Sequence, residues 1–278
     1  MTNDPGRPDP EGRSPVPNGY PCLPLIDPEA EALDVGDRPT VLITGACGHI
    51  GRKLRAAWVD RYDLILLDRN AGPDEPDVIA ADLAEQHDEW MGTFHNADAV
   101  VHLAANPDPL APWPELVGPN VDAMANVLHA AVLGAVERFV FASSSHTMWG
   151  YKDDGDGPIS EDLSPRPDGP YGASKLMGER LGRSFSSAFD LAFVGVRIGW
   201  VQPGSNRAET LPDDWARGLW LSDRDLVHLV ECAIWADLDD GFLIVNGVSR
   251  NRGSRWPVRR AVEALGFDPL DDAFAGSP

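Results

Sequence analysis

The chain has 278 residues, 43% of them apolar, which is enough for one sizeable buried core with a small appended lobe. Its formal net charge of −21 argues against nucleic-acid binding, because phosphate contacts need clustered cations. No apolar run approaches the ~20 residues of a membrane span, and no His or Cys spacing suits a metal ligand set, so neither membrane association nor a metal site is expected.

Residues 1–38 are rich in proline, glycine and acids and lack an apolar h-region, so they read as a disordered tail and not as a secretory signal. Cys22, Cys47 and Cys232 are odd in number and far apart, which fits a reducing cytoplasm. Of the 23 basic residues only Lys53, Lys152 and Lys175 are lysine.

The first predicted strand is Val41-Leu42-Ile43-Thr44, followed by a glycine-rich turn and an amphipathic stretch from His49 to Trp58. Leu64 to Leu67 is a second strand ending at Asp68, and Val78 to Ala80 a third ending before Asp82. Ala99 to Ala105 is a fourth and Arg138 to Ala142 a fifth, with a helical pattern from Glu115 to Leu133 between them. A sixth strand, Leu191 to Ile198, follows a helix containing Tyr171. Strands alternating with helices, each strand continuously apolar, predict an α/β fold: a doubly wound parallel sheet of Rossmann type over residues 39–200. The Pro-, Gly- and Asp-rich stretch from Gln202 to Asp214 then breaks the rhythm. A helix near Ser222 to Ala236, a strand from Phe242 to Asn246 and a helix ending at Leu265 follow, and residues 201–278 are expected to form a small substrate-binding lobe.

The turn after the first strand reads Thr44-Gly45-Ala46-Cys47-Gly48-His49-Ile50-Gly51. Gly45 permits the tight turn, Gly48 lets backbone approach a pyrophosphate, and Gly51 allows close helix–sheet packing. The helix N-terminus at His49 and Ile50 offers free N–H groups and a positive dipole end to phosphates. Asp68, 23 residues after Gly45, can accept both ribose hydroxyls of NAD and would repel a 2′-phosphate, although the adjacent Arg69 could serve NADP.

About 120 residues downstream stand Tyr171 and Lys175, with Ser143-Ser144-Ser145 in between. Residues i and i+4 share a helix face, so Lys175 can lie under Tyr171. A free tyrosine titrates near pH ~10, and a cation one turn away favours the phenolate that a base for a carbinol proton requires. Ser144 or Ser145 would hydrogen-bond and orient the reacting oxygen. Ser143 reads as a buried strand-end serine.

The glycine turn, the serine run and Tyr171-Gly-Ala-Ser-Lys175, in that order, resemble the extended short-chain dehydrogenase/reductase family over roughly Thr40 to Pro269. The resemblance implies that Asp82 and Leu83 flank the adenine, though Asp82 could equally cap a helix. It also implies that Leu103, Ala104 and Ala105 line the cofactor ribose, and that Asn120 is a recurrent helix asparagine of the site. Phe141-Ala-Ser-Ser-Ser-His146-Thr147, Arg166-Pro-Asp-Gly-Pro-Tyr171, Val196-Arg-Ile-Gly199, Trp220-Leu-Ser222 and Ala111-Pro-Trp113 look like the branch of uronate dehydrogenases and archaeal NAD-dependent glucose-6-phosphate dehydrogenases. In that branch C1 of a cyclic sugar, a hexuronate or hexose phosphate, is oxidised to a lactone. His146 matches a histidine of its substrate pocket, and Arg207 or Arg217 would hold the substrate's anion. Ser145 stands where the branch has Asn, Pro107 where uronate dehydrogenases have Ser, and Trp200 where a smaller polar residue follows Arg-Ile-Gly.

The expected protein is a cytoplasmic, homo-oligomeric NAD-dependent sugar dehydrogenase without a metal. The alternatives are a nucleotide-sugar epimerase or dehydratase with tightly bound NAD, or a non-catalytic NAD-binding sensor.

Overall fold

The structure is a computed structural model of the chain and describes residues 38–275. The expected N-terminal tail falls almost wholly outside the described residues.

Seven parallel strands form one sheet in the order β3-β2-β1-β4-β5-β6-β7. The strands are β1 (Thr40–Thr44), β2 (Asp63–Asp68), β3 (Val78–Ala80), β4 (Ala99–His102), β5 (Arg138–Ser144), β6 (Ala192–Ile198) and β7 (Phe242–Gly247). The chain winds from β1 out to β3, returns across β1 to β4, and then winds outward in the other direction to β7. The direction reverses between β1 and β4, and the crevice outside the carboxyl ends at such a reversal is where ligands bind in open α/β sheets.

Side chains alternate across the sheet, so each strand feeds two cores. Val41 and Ile43 of β1 pack with Leu54 and Trp58 of α1 (His49–Trp58). Leu42 faces the other way, towards Met124, Val127 and Leu128. The helices α2 (Asp88–Met91), α3 (Trp113–Leu116), α4 (Ala123–Leu133) and α5 (Pro170–Ala188) carry the chain between β3 and β6. After β6 come α6 (Asp214–Leu219), α7 (Asp223–Trp235) and α8 (Arg259–Leu265).

The predicted helix from Glu115 to Leu133 begins at Trp113 and contains a π-helical turn, Val117–Asp122, between α3 and α4. The continuous 21-residue helix is long and apolar enough, by length and composition, to cross a membrane. In this fold it is a core crossover: Ala123, Met124, Val127, Leu128, Ala130 and Ala131 are buried against the sheet. The fourth predicted strand is shorter than expected, and Leu103 to Ala105 leave the sheet as loop at its carboxyl end.

The segment after residue 200 has two parts. β7 extends the main sheet beside β6, from Phe193 opposite Phe242 to Ile198 opposite Gly247. Leu226, Leu229, Val230 and Ala233 of α7 and Ala261 and Leu265 of α8 join the core on the α1 face. The remainder, with α6 and the loops around it, projects over the carboxyl ends and shares a satellite core of Met148, Ile159, Leu219, Val248 and Trp256. Helix α6 lies at the end of the Pro- and Gly-rich stretch read as loop, and Asp213 starts it by accepting the Ala216 N–H at 2.8 Å. Ser222 caps α7 in the same way, accepting from Asp225 at 3.0 Å.

Candidate active site

A cavity of about 680 Å³ runs across the carboxyl ends of the strands. At one end it is floored by the glycine turn. Gly45 has φ +72°, and a Cβ there would stand 2.7 Å from the Ala104 nitrogen in the loop that follows β4. A Cβ on Gly51 would meet the Gly45 carbonyl oxygen at 2.4 Å, so glycine at this position is what lets α1 seat against the turn. Gly48 is exposed towards the cavity at the N-cap of α1, with no side chain capping the helix. The first-turn amides therefore have no side-chain partner at the cap, and His49 and Ile50 line the cavity beside them.

Asp68 ends β2 and is 7% exposed. One carboxylate oxygen accepts the Cys47 N–H at 2.9 Å and the other the Asn70 N–H at 2.7 Å, which holds the carboxylate facing the cavity with acceptor capacity left on both oxygens. Arg69, Asp82, Leu83, Leu103, Ala104 and Ala105 also line this half. Asp82 is in addition a local turn cap, accepting the Ala84 N–H at 3.0 Å. An open helix N-terminus in a cradle that Cβ atoms would fill, with a buried carboxylate one strand away, fits a dinucleotide.

Ser144, Ser145, His146, Tyr171 and Lys175 line the other half. Helix α5 lies unusually close to the sheet, because Gly178 sits over the Phe141 ring and Gly182 over Phe193, where a Cβ would come within 2.5 Å and 2.2 Å. Gly172 makes the same approach to the His146 carbonyl, 2.4 Å from where its Cβ would be. This closeness lets the Lys175 ammonium reach into the sheet end and donate to the Ala142 carbonyl at 2.9 Å. It lies 6.0 Å from the Tyr171 ring centroid. Burial lowers the Lys175 pKa to about 8. Burial raises that of Tyr171, and the neighbouring Ser144 hydroxyl works in the opposite direction.

This separates the serines. Ser144 is the one beside Tyr171, and its hydroxyl accepts the His146 N–H at 3.2 Å. Ser145 is buried at 3% exposure and its carbonyl holds the following turn through the Met148 N–H. Ser143 donates to Glu179 at 2.6 Å, and Glu179 forms a buried bidentate pair with Arg197, both contacts 2.9 Å. Glu179 was absent from the sequence reading although it continues the helical series Tyr171, Lys175, Glu179 at i, i+4 and i+8.

Three expected residues do not line the cavity. Asn120, 4% exposed, stands in the π-helical turn and is spent on structure: it accepts the Asn106 N–H at 2.7 Å and donates to Ser174 at 3.0 Å. Arg207 points into solvent beside Glu209, its side chain 66% exposed. Arg217 lies along α6 beside Asp214 at 3.4 Å. The anion-holding role expected of these two has no support in their placement, because neither side chain lines the cavity. The walls at this end are instead Pro107, Pro109, Trp149 and Trp200. Trp149 stacks on His146 with centroids 4.2 Å apart, and the His146 ring lies 3.2 Å from an Asp168 oxygen. Among the described residues no cluster of three or more His, Cys, Asp or Glu could hold a metal.

Residues 41–209 match the model of the NAD dependent epimerase/dehydratase family. The chain belongs to this family. NAD is its cofactor, in agreement with the glycine cradle and Asp68. Among curated relatives it is 37% identical over 265 residues to NAD-dependent glucose-6-phosphate dehydrogenase of Haloferax volcanii, covering 87% of this chain and 98% of that one. It is 33% identical over 239 residues to uronate dehydrogenase of Pseudomonas putida, covering 84% of each. The crystal structure of uronate dehydrogenase from Agrobacterium tumefaciens superposes with a TM-score of 0.71 at 29% identity, covering 86% of both chains.

Proposed function

We propose that this protein oxidises C1 of a cyclic sugar to the lactone with NAD as oxidant. That it is an NAD-dependent dehydrogenase follows from its kinship; the atom oxidised and the roles of the residues are our reading of the site. One observation carries it: the buried Tyr171, with Ser144 at its side, stands beside the buried Lys175 ammonium in the same cavity as the dinucleotide cradle.

In this reading the first-turn amides of α1 hold the pyrophosphate, and Asp68 accepts the adenosine ribose hydroxyls. NAD, when bound, supplies the acceptor for the hydride that leaves C1. The rest is proton handling. The Ser144 hydroxyl donates to the sugar's C1 oxygen and orients it, and the Tyr171 phenolic oxygen takes the C1 hydroxyl proton. The Lys175 ammonium stabilises the phenolate against the burial that opposes it. Lys175 is itself held by the Ala142 carbonyl, so its charge is fixed in position before any ligand arrives. Ser143, Glu179 and Arg197 brace the end of β5 from beneath and touch no reacting atom.

The test is an initial-rate screen of free aldoses, uronates and sugar phosphates with NAD, with the product followed by NMR. One NADH and one lactone per sugar consumed is the expected result. Isomerised sugar without net NADH would indicate an epimerase instead.

A further inference from the structure

Resting on the C1-oxidation reading, we propose that the sugar is uncharged: the Tyr171 end of the cavity is a neutral, aromatic-walled site that selects free aldoses against sugar phosphates and uronates. The charged side chains lining the cavity are segregated. Arg52, Asp68, Arg69 and Asp82 belong to α1 and to the ends of β2 and β3, on the cradle side. Among the described residues, the groups on the Tyr171 side that can carry positive charge are Lys175 and His146, with His49 of α1 reaching this side at Val201, its pKa lowered chiefly by burial. Lys175 is buried and bonded to the Ala142 carbonyl. His146 already has a carboxylate, Asp168, at 3.2 Å.

The cations just outside this end do not line the cavity. Arg207 and Arg217 sit beside Glu209 and Asp214. Lys152 lies 5.8 Å from the Trp149 centroid and 5.7 Å from that of Trp215, exposed and outside the cavity lining. Arg255 donates to the Gly157 and Lys152 carbonyls, both at 2.9 Å.

A phosphate or carboxylate brought to this end would lose its hydration without meeting an arginine or a second lysine on the cavity wall, and a charge buried unpaired is strongly disfavoured. The protein's net charge of −21 opposes it at longer range. A neutral sugar suits the same walls. Its C–H faces can lie on Pro107, Trp149 and Trp200, while Ser144 and His146 offer the few convergent polar groups that fix orientation.

The experiment compares free aldoses with their 6-phosphates and uronic acids in two ways: kcat/KM with NAD, and calorimetric binding to the protein–NADH complex at low and high salt. A preference for the neutral sugar of about tenfold or more, retained at high salt where the long-range repulsion is screened, is the expected result. Trp200→Arg, which puts a cation into the wall, should narrow or reverse that preference, and Arg217→Ala should leave it unchanged. An anionic sugar that is bound or turned over as well as its neutral counterpart would overturn the proposal, as would failure of every neutral sugar to bind. Selective binding of neutral sugars without NADH formation would leave it standing and remove the C1-oxidation reading instead.

Discussion

Replacing Lys175 by methionine removes one buried charge while keeping most of the side chain's volume. The ammonium lies 6.0 Å from the Tyr171 ring centroid. At about 6 Å and an effective dielectric of about 20, Coulomb's law gives an interaction of about 2–3 kcal/mol with a phenolate. That corresponds to about two units in the tyrosine's apparent pKa. Turnover of Lys175→Met at neutral pH should therefore fall on the order of 100-fold, and the deficit should shrink as pH rises and the phenolate forms without help.

Stability should move the other way with pH. In the native protein without ligand the Lys175 pKa is about 8, below its ordinary value of 10.5. Below the native pKa both states hold the proton, and the cost of burying the charge is fully present. Between the two values the unfolded chain binds more protons than the native one, so stability rises with pH from about 8 towards 10.5 as that cost is relieved. Wild type minus Lys175→Met, in denaturant midpoint as a function of pH, should show this rise. A turnover deficit that is constant from pH 6 to 10 would refute the assignment of Lys175 as the phenolate's counter-charge.

Tyr171→Phe keeps the ring and loses the oxygen, so kcat should drop by about 10²–10⁴ with NAD affinity by fluorescence titration nearly unchanged. Asp68→Ala removes the acceptor facing the ribose; NAD should bind more weakly and the gap to NADP should narrow, measured as a ratio of dissociation constants. Gly51→Ala drives a Cβ to 2.4 Å from the rigid Gly45 carbonyl, so we expect a loss of about 1–3 kcal/mol by denaturant titration together with weaker NAD binding.

The fold was legible because its signals are local. Continuous apolar runs such as Val41 to Thr44 and Ala99 to His102 need no tertiary knowledge to be read as buried strands. The glycines at 45, 48 and 51 carry their geometry in their spacing, as do Tyr171 and Lys175. What was not legible depended on where the chain comes together in space. The π-helical turn at Val117–Asp122 holds Asn120, whose partners Asn106 and Ser174 lie 14 and 54 residues away. Nothing in the helical pattern marks the slip. Helix α6 lay at the end of a Pro- and Gly-rich run, with Asp213 as its only local cue. Arg207 and Arg217 were candidates because the resembled branch carries an anion-binding arginine before Trp220, but whether a long side chain reaches the cavity depends on the tertiary packing around it, and neither lines it. Trp149 went unread as a cavity wall, since an isolated aromatic has no spacing to betray it.

The central claim is that the hydride leaves C1 of a sugar, and a substrate deuterated at C1 tests it most directly. Incubated with NAD, such a sugar should give NADH carrying one deuterium at the nicotinamide, a lactone with none at that carbon, and a slower rate if the transfer limits turnover. Unlabelled NADH, or a sugar returned with its label and inverted at another carbon, would contradict the account.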